Sequence, residues 1–331
     1  MSDPSSILPI PPAGPDSADA LTDLLDLLDL EQIELHIFRG RNRPIGSPRV
    51  FGGQVLAQAL VAAGRTVPED RFAHSLHAYF ILPGDVRAPI LYTVESLRDG
   101  GSFATRRVTA VQHGRPIFNA SLSFARDEPG LDHQSDAIPA APAPGAVTPE
   151  RDLALAIADQ IPEPLRTALT RERPIDFRSV DPVNPFAPHA RDARSVTWLR
   201  AAGPLPDLSA PGGRLVHQAV LAYASDWGLL GTALLPHARS VFDPGIQAAS
   251  LDHAVWFHRP FRADDWLLYA LDAPSAFGGR GFARGSVFDG MGRLVASTAQ
   301  EGLIRPVTPR ASGPRPDAAR PDAPGPDAAR T

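Results

Sequence analysis

The chain carries the same series of landmarks twice, and a duplication of that length restricts the fold to two similar units packed together. The first run passes through Val55-Leu56-Ala57, His77-Ala78-Tyr79-Phe80, Leu91-Tyr92, Ser102-Phe103-Ala104, Gly114-Arg115 and Ser123-Phe124. The second passes through Val220-Leu221-Ala222, His253-Ala254-Val255-Trp256-Phe257, Leu268-Tyr269, Gly281-Phe282-Ala283, Gly292-Arg293 and Glu301-Gly302. The copies differ in polarity: Asp226 and Gln300 stand where this alignment puts Val61 and Leu122 in the first run. An apolar copy beside a polar one implies a single working site, in the second.

Periodicity supplies the elements. Leu21, Leu24, Leu25, Leu28 and Ile33 recur at helical spacing, and Gln54 to Ala63 reads as a buried helix entered through Phe51-Gly52-Gly53. The period then changes to two. Ile90, Tyr92 and Val94 alternate with polar neighbours, as do Ala104, Val108 and Ala110, and Phe118, Ala120, Leu122 and Phe124. These are half-buried antiparallel strands, with Asp99-Gly100-Gly101 and His113-Gly114 as turns. One helix followed by a run of strands predicts an α+β unit in which a curved sheet wraps its helix. The second unit repeats the plan, with a helix expected from about Leu215 to Leu235 and Asp289-Gly290 turning its last hairpin. The expected organisation is a disordered N-terminus over 1–19, a first unit over 20–127, a Pro/Ala-rich linker with short helices over 128–172, a second unit carrying the site over 173–306, and a disordered, low-complexity tail over 307–331.

Composition excludes several classes. There is no cysteine among the 331 residues, which removes disulfides, thiol nucleophiles and cysteine metal sites. The net charge is −5 and no basic stripe is visible, so no nucleic-acid partner is expected. No signal peptide is recognisable, and the greasiest stretch, 21–30, is interrupted by Asp23, Asp26 and Asp29. A soluble, cytoplasmic protein with no membrane partner, metal or cofactor is the expectation.

The residue that asks for an explanation is Asp226, in Leu221-Ala-Tyr-Ala-Ser-Asp-Trp-Gly-Leu-Leu230. An unpaired carboxylate in such surroundings costs several kcal/mol, so it needs partners from the strands around the helix. Ser250 and Gln300 are polar residues in the right unit, and Gln300 faces inward if it shares a face with Leu294, Ala296 and Thr298. From the residues alone, a satisfied polar network in the core and a functional carboxylate both stand.

Longer motifs add a resemblance. Tyr223-Ala-Ser-Asp226, Ser250-Leu-Asp-His-Ala-Val-Trp-Phe-His-Arg-Pro260, Trp266-Leu-Leu-Tyr269 and Val295-Ala-Ser-Thr-Ala-Gln-Glu-Gly302 resemble the acyl-CoA thioesterase II family, the TesB-like double-hotdog enzymes. Val50-Phe-Gly-Gly-Gln-Val55 and Leu97-Arg-Asp-Gly-Gly-Ser-Phe103 resemble its first half, and the likeness covers about residues 21–306. It implies a double hotdog fold, an acyl-CoA substrate, hydrolysis to free acid and CoA, and assembly into a dimer or tetramer. Carried over residue by residue, the family's catalytic trio falls on Asp226, Ser250 and Gln300; the hydroxyl position often holds Thr, so Ser250 departs by one methyl. Asp226 would activate a water that Ser250 and Gln300 orient, without metal or covalent intermediate. The acyl chain would run between helix and sheet, lined by Leu229, Leu230 and Trp256. The alternatives are a non-catalytic acyl-CoA binder of the same shape and a hotdog enoyl-CoA hydratase.

Other features take plainer readings. There is no Gly-x-Ser-x-Gly elbow. Gly278-Gly-Arg-Gly-Phe-Ala-Arg-Gly285 reads as a hairpin loop rather than a phosphate cradle. In Asp181-Pro-Val-Asn-Pro-Phe-Ala-Pro-His189 the spacing is wrong for a hydratase pair, and His74, His77, His253 and His258 read as structural.

Overall fold

The computed structural model describes residues 20–47 and 49–307; the expected disorder at the N-terminus and, beyond Val307, in the tail lies outside that range. The first unit holds helix α1 (Ala20–Leu28), strands β1 (Glu31–Glu34) and β2 (Ile37–Gly40), helix α2 (Gly52–Gly64), and strands β3 (Phe72–Phe80), β4 (Ile90–Asp99), β5 (Phe103–Gln112) and β6 (Arg115–Ala125). Two short helices follow, α3 (Glu150–Ala156) and α4 (Leu165–Thr170). The second unit contains β7 (Ile175–Ser179), β8 (Arg194–Ala201), helices α5 (Gly213–Ser225) and α6 (Leu229–Thr232), and strands β9 (Ile246–Ser250), β10 (Asp252–Phe257), β11 (Leu267–Phe277), β12 (Arg280–Phe288) and β13 (Leu294–Pro306).

All these strands belong to one sheet, ordered β1-β2-β4-β5-β6-β3-β10-β13-β12-β11-β8-β7, with β9 paired to β13 off that path. The units join in the middle, where β3 runs antiparallel to β10 with Leu76 opposite Val255. Inward residues of both halves close over α2 and α5, which pack on each other in one continuous core. This is the α+β double hotdog expected from the sequence. The alternation that predicted the strands is the burial pattern observed: Ile90, Tyr92 and Val94 point inward from β4, and Ala296, Thr298 and Gln300 from β13. The His113-Gly114 hairpin turns with both residues at positive φ, 50° and 72°, the twist that suits antiparallel strands. Gly278 and Gly279, at 61° and 76°, turn the β11–β12 hairpin in the same way, so the glycine-rich run is indeed a hairpin.

Two expectations need correction. The second helix does not run on to Leu235: α5 stops at Ser225, because Gly228 adopts φ +81° and starts the separate turn of α6. Asp226 is therefore the C-cap of α5, not an interior helical residue. The alignment of the helices also shifts. α2 and α5 each have 13 residues, so the position after the last helical residue is Arg65 in one and Asp226 in the other. Val61 lies inside α2 and is not the counterpart of Asp226. Repeated small aliphatic residues in both helices allow more than one register by sequence, and only the helix ends resolve it. No helix among the described residues is long and apolar enough to cross a membrane.

Candidate active site

Asp226 sits where the two central helices meet. As the cap of α5 it stands at the negative end of that helix, a poor place for a carboxylate. It is compensated by the opposite end of α2. The Gly53 N–H, one of the first amides of that helix, donates to Asp226 Oδ2 at 2.9 Å. Such amides lack an intrahelical acceptor and carry the positive end of the helix dipole, so α2 supplies both a hydrogen bond and a favourable field. The second oxygen, Oδ1, accepts from Gln300 Nε2 at 2.7 Å. Bonds to a charged acceptor are each worth roughly 1.5–3 kcal/mol, which offsets the desolvation of a side chain only 7% exposed.

Two glycines make this contact possible. A Cβ at position 53 would lie 2.3 Å from the Tyr223 carbonyl oxygen, and one at 52 would lie 2.7 Å from Asp226 Oδ2. Glycine lets the α2 backbone approach the end of α5 this closely. The Gly52 N–H has no hydrogen-bond acceptor among the described residues.

Gln300 is 1% exposed. Its amide nitrogen also lies 3.0 Å from His253 Nδ1, while His253 Nε2 lies 3.0 Å from the Ser225 hydroxyl. The Ser225 hydroxyl in turn donates to the Ala222 carbonyl at 2.9 Å. Burial lowers the His253 pKa below the usual histidine range, against the opposing pull of Asp226. His253 is thus part of the carboxylate's surroundings, and sequence reasoning passed it over. Its place on the inward face of β10, shared at every second position with the buried Val255 and Phe257, was the available signal.

Asp226 and Ser250 both line a cavity of about 880 Å³, together with Gly52. The Ser250 hydroxyl, at the end of β9, has no hydrogen-bond partner among the described residues. Gln300 does not line the cavity; it stands behind the carboxylate. The rest of the lining is mostly apolar and comes from three parts of the chain: Val55, Phe80 and Ile117 of the first unit, Leu153, Ile157 and Leu165 of the connecting segment, and Leu230 and Phe242 of the second. Of the expected tunnel residues only Leu230 is there. Leu229 is fully buried behind it, and Trp256 lies on the outer face of the sheet, edge-on to His77 at 5.0 Å. Two guanidinium groups reach the wall. Arg173 is paired with Glu150 at 3.3 Å and lies over Trp227, whereas Arg49 is exposed with no ion pair among the described residues.

The comparisons with known proteins bear on this geometry. A family model described as acyl-CoA thioesterase matches residues 167–303, and one described as acyl-CoA thioesterase N-terminal domain matches residues 38–125. Acyl-CoA thioesterase 2 of Haemophilus influenzae is 43% identical over 276 residues, covering 83% of this chain and 94% of that protein. The chain belongs to the acyl-CoA thioesterase II family. The crystal structure of the family member TesB2 from Mycobacterium marinum, 41% identical, superposes with a TM-score of 0.69 over 86% of this chain and 99% of that one. A hot dog fold protein from Alicyclobacillus acidocaldarius, 20% identical, gives a TM-score of 0.68 over 86% of this chain and 99% of its own, a likeness of fold alone.

Proposed function

We propose that this thioesterase II family member hydrolyses acyl-CoA to free carboxylic acid and CoA, with Asp226 as the base that activates water. The observation that carries the reading is a carboxylate held on one oxygen by the Gly53 N–H and on the other by Gln300, at the wall of an apolar cavity it shares with a free serine hydroxyl.

Water attacks the thioester carbonyl carbon while Asp226 takes its proton. The resulting oxyanion needs a donor, and Gly52, at the start of α2 and among the residues lining the cavity, offers its N–H. Collapse breaks the C–S bond, and the proton held by Asp226 passes to the departing sulfur. Ser250 contributes a hydroxyl from the cavity side to orient the water. Gln300 acts through Asp226: with its nitrogen bonded to Oδ1, it turns the carboxylate toward the cavity. The apolar lining suits the acyl chain.

Release of free CoA from acyl-CoA substrates tests this directly. Asp226→Asn should lower kcat by about 10²–10⁴ with the fold retained, the usual worth of a positioned general base. Gln300→Ala should lower it by less. If both folded variants released CoA at the parent rate, the assignment would be wrong.

A further inference from the structure

His253 is fully enclosed, with none of its side chain exposed, and it does not line the cavity, yet it is bonded to the residue that holds Asp226. The proton positions follow from the acceptors around it. Because the Ser225 hydroxyl donates its hydrogen to the Ala222 carbonyl, it can only accept from His253 Nε2. Nε2 therefore carries the ring proton, and Nδ1 of the neutral ring is an acceptor. The Gln300 amide nitrogen, 3.0 Å from Nδ1 and 2.7 Å from Asp226 Oδ1, commits both its hydrogens to these two atoms.

The other end of the amide is silent. Gln300 Oε1 is buried and has no hydrogen-bond partner among the described residues, so nothing on that side selects which way the amide faces. The selection comes from the two acceptors at the nitrogen end. In the first unit the inward residues Leu76 and Leu122, opposite each other on β3 and β6, offer no amide to orient.

We propose that His253 is a positioning residue for thioester hydrolysis: as a neutral acceptor it locks the Gln300 amide with its nitrogen toward Asp226. The proposal rests on the reading of Asp226 as the base. A proton added at Nδ1 would set a donor against the amide hydrogens. Turning the amide over to relieve that contact would place its oxygen where the nitrogen now sits, 2.7 Å from the carboxylate. The imidazolium would also stand 3.7 Å from Asp226 Oδ1 and weaken it as a base. Asp226, at the end of α5, is the one charged group shaping the His253 titration among the described residues; the neighbours bonded to or paired with the ring's residue are uncharged, namely Ser225 of α5, Gln300 of β13 and Ala78 of β3. Burial favours the neutral ring, which the arrangement requires.

The test compares His253→Leu and His253→Asn with the parent, measuring kcat, KM and the pH profile of CoA release, with circular dichroism to check folding. Leucine fills the space without an acceptor, so kcat should fall between about tenfold and about 10²-fold at unchanged KM. Asparagine offers an oxygen near the Nδ1 position and does not titrate. It should keep most of the parent kcat. A folded leucine variant with the parent kcat, or a folded asparagine variant that loses as much kcat as the leucine variant, overturns the proposal. Should the leucine variant not fold, His253→Ala, which also lacks the acceptor, takes its place. Asp226→Asn measured alongside separates the two assignments: if it is inactive while the His253 variants behave as the parent, only the role of His253 fails.

Discussion

At the scale of single residues, the site is a carboxylate made tolerable by two neighbours that sequence distance hides. Gly53 precedes Asp226 by 173 positions, yet its amide is the partner of Oδ2. The two glycines at 52 and 53 serve different purposes. At 53 the obstacle to a side chain is backbone, the Tyr223 carbonyl, so Gly53→Ala must push α2 off the end of α5. The expected cost is about 1–3 kcal/mol, the usual penalty for overpacking, read as a lowered midpoint in denaturant unfolding. At 52 the obstacle is side chain, the Asp226 carboxylate and the Phe80 ring. Gly52→Ala should therefore fold and lose activity, because the added methyl takes space beside the carboxylate.

At the scale of elements, the segment between the units does more than connect them. α3 and α4 were legible as short helices in a Pro/Ala-rich stretch, but their apolar faces have no partner readable from sequence. In the structure Ala154, Ile161 and Leu169 form a small core with Trp227 and Phe242, and Leu153, Ile157 and Leu165 line the cavity. The segment is tied to the residue after Asp226: Trp227 Nε1–H donates to Glu150 at 3.0 Å, and Arg173 lies over the indole ring at 4.7 Å. A wall made this way should govern how long an acyl chain fits. Ile157→Trp is expected to lower kcat/KM for long-chain acyl-CoA by about tenfold or more while sparing short chains, since each excluded methylene removes roughly 1–3 kcal/mol of pocket binding. A panel of acyl lengths in the CoA-release assay reads that ratio.

At the scale of the whole molecule, the site belongs to the pairing of the units. Gly52 and Gly53 come from one half, and Asp226, Ser250 and Gln300 from the other, brought together by α2 against α5 and β3 against β10. The same enclosure makes the fold sensitive to acid. Burial lowers the pKa of His74, His217, His253 and His258 below the usual histidine value. In the unfolded chain these rings gain protons as pH falls through about 6.5, while in the folded chain they remain neutral to lower pH. The unfolded state then binds more protons, so stability falls as pH drops below about 6.5. Asp207, Asp243 and Asp264 are also held low, and Asp85 at about 2 by its bonds with Arg87. What they add is present above about 3.9 and is lost as pH falls below it. Tm measured from about pH 8 down to about pH 3.5 should decline in two stages, near 6.5 and again near 4.

What the sequence determined by itself is whatever repeats locally. Period-two alternation marked the strands, glycine pairs marked the hairpins, and a carboxylate among aliphatics marked Asp226 as in need of partners. These signals are written in adjacent residues and survive without the fold. The ends of α5, the register of α5 against α2, the wall built by α3 and α4, and the tautomer of His253 were decided only by tertiary structure. Each depends on a contact between residues far apart in the chain, such as Gly53 with Asp226 or His253 with Gln300. A helix-terminal amide looks the same in sequence whether it faces solvent or a carboxylate, and the packing of one unit on the other makes that choice.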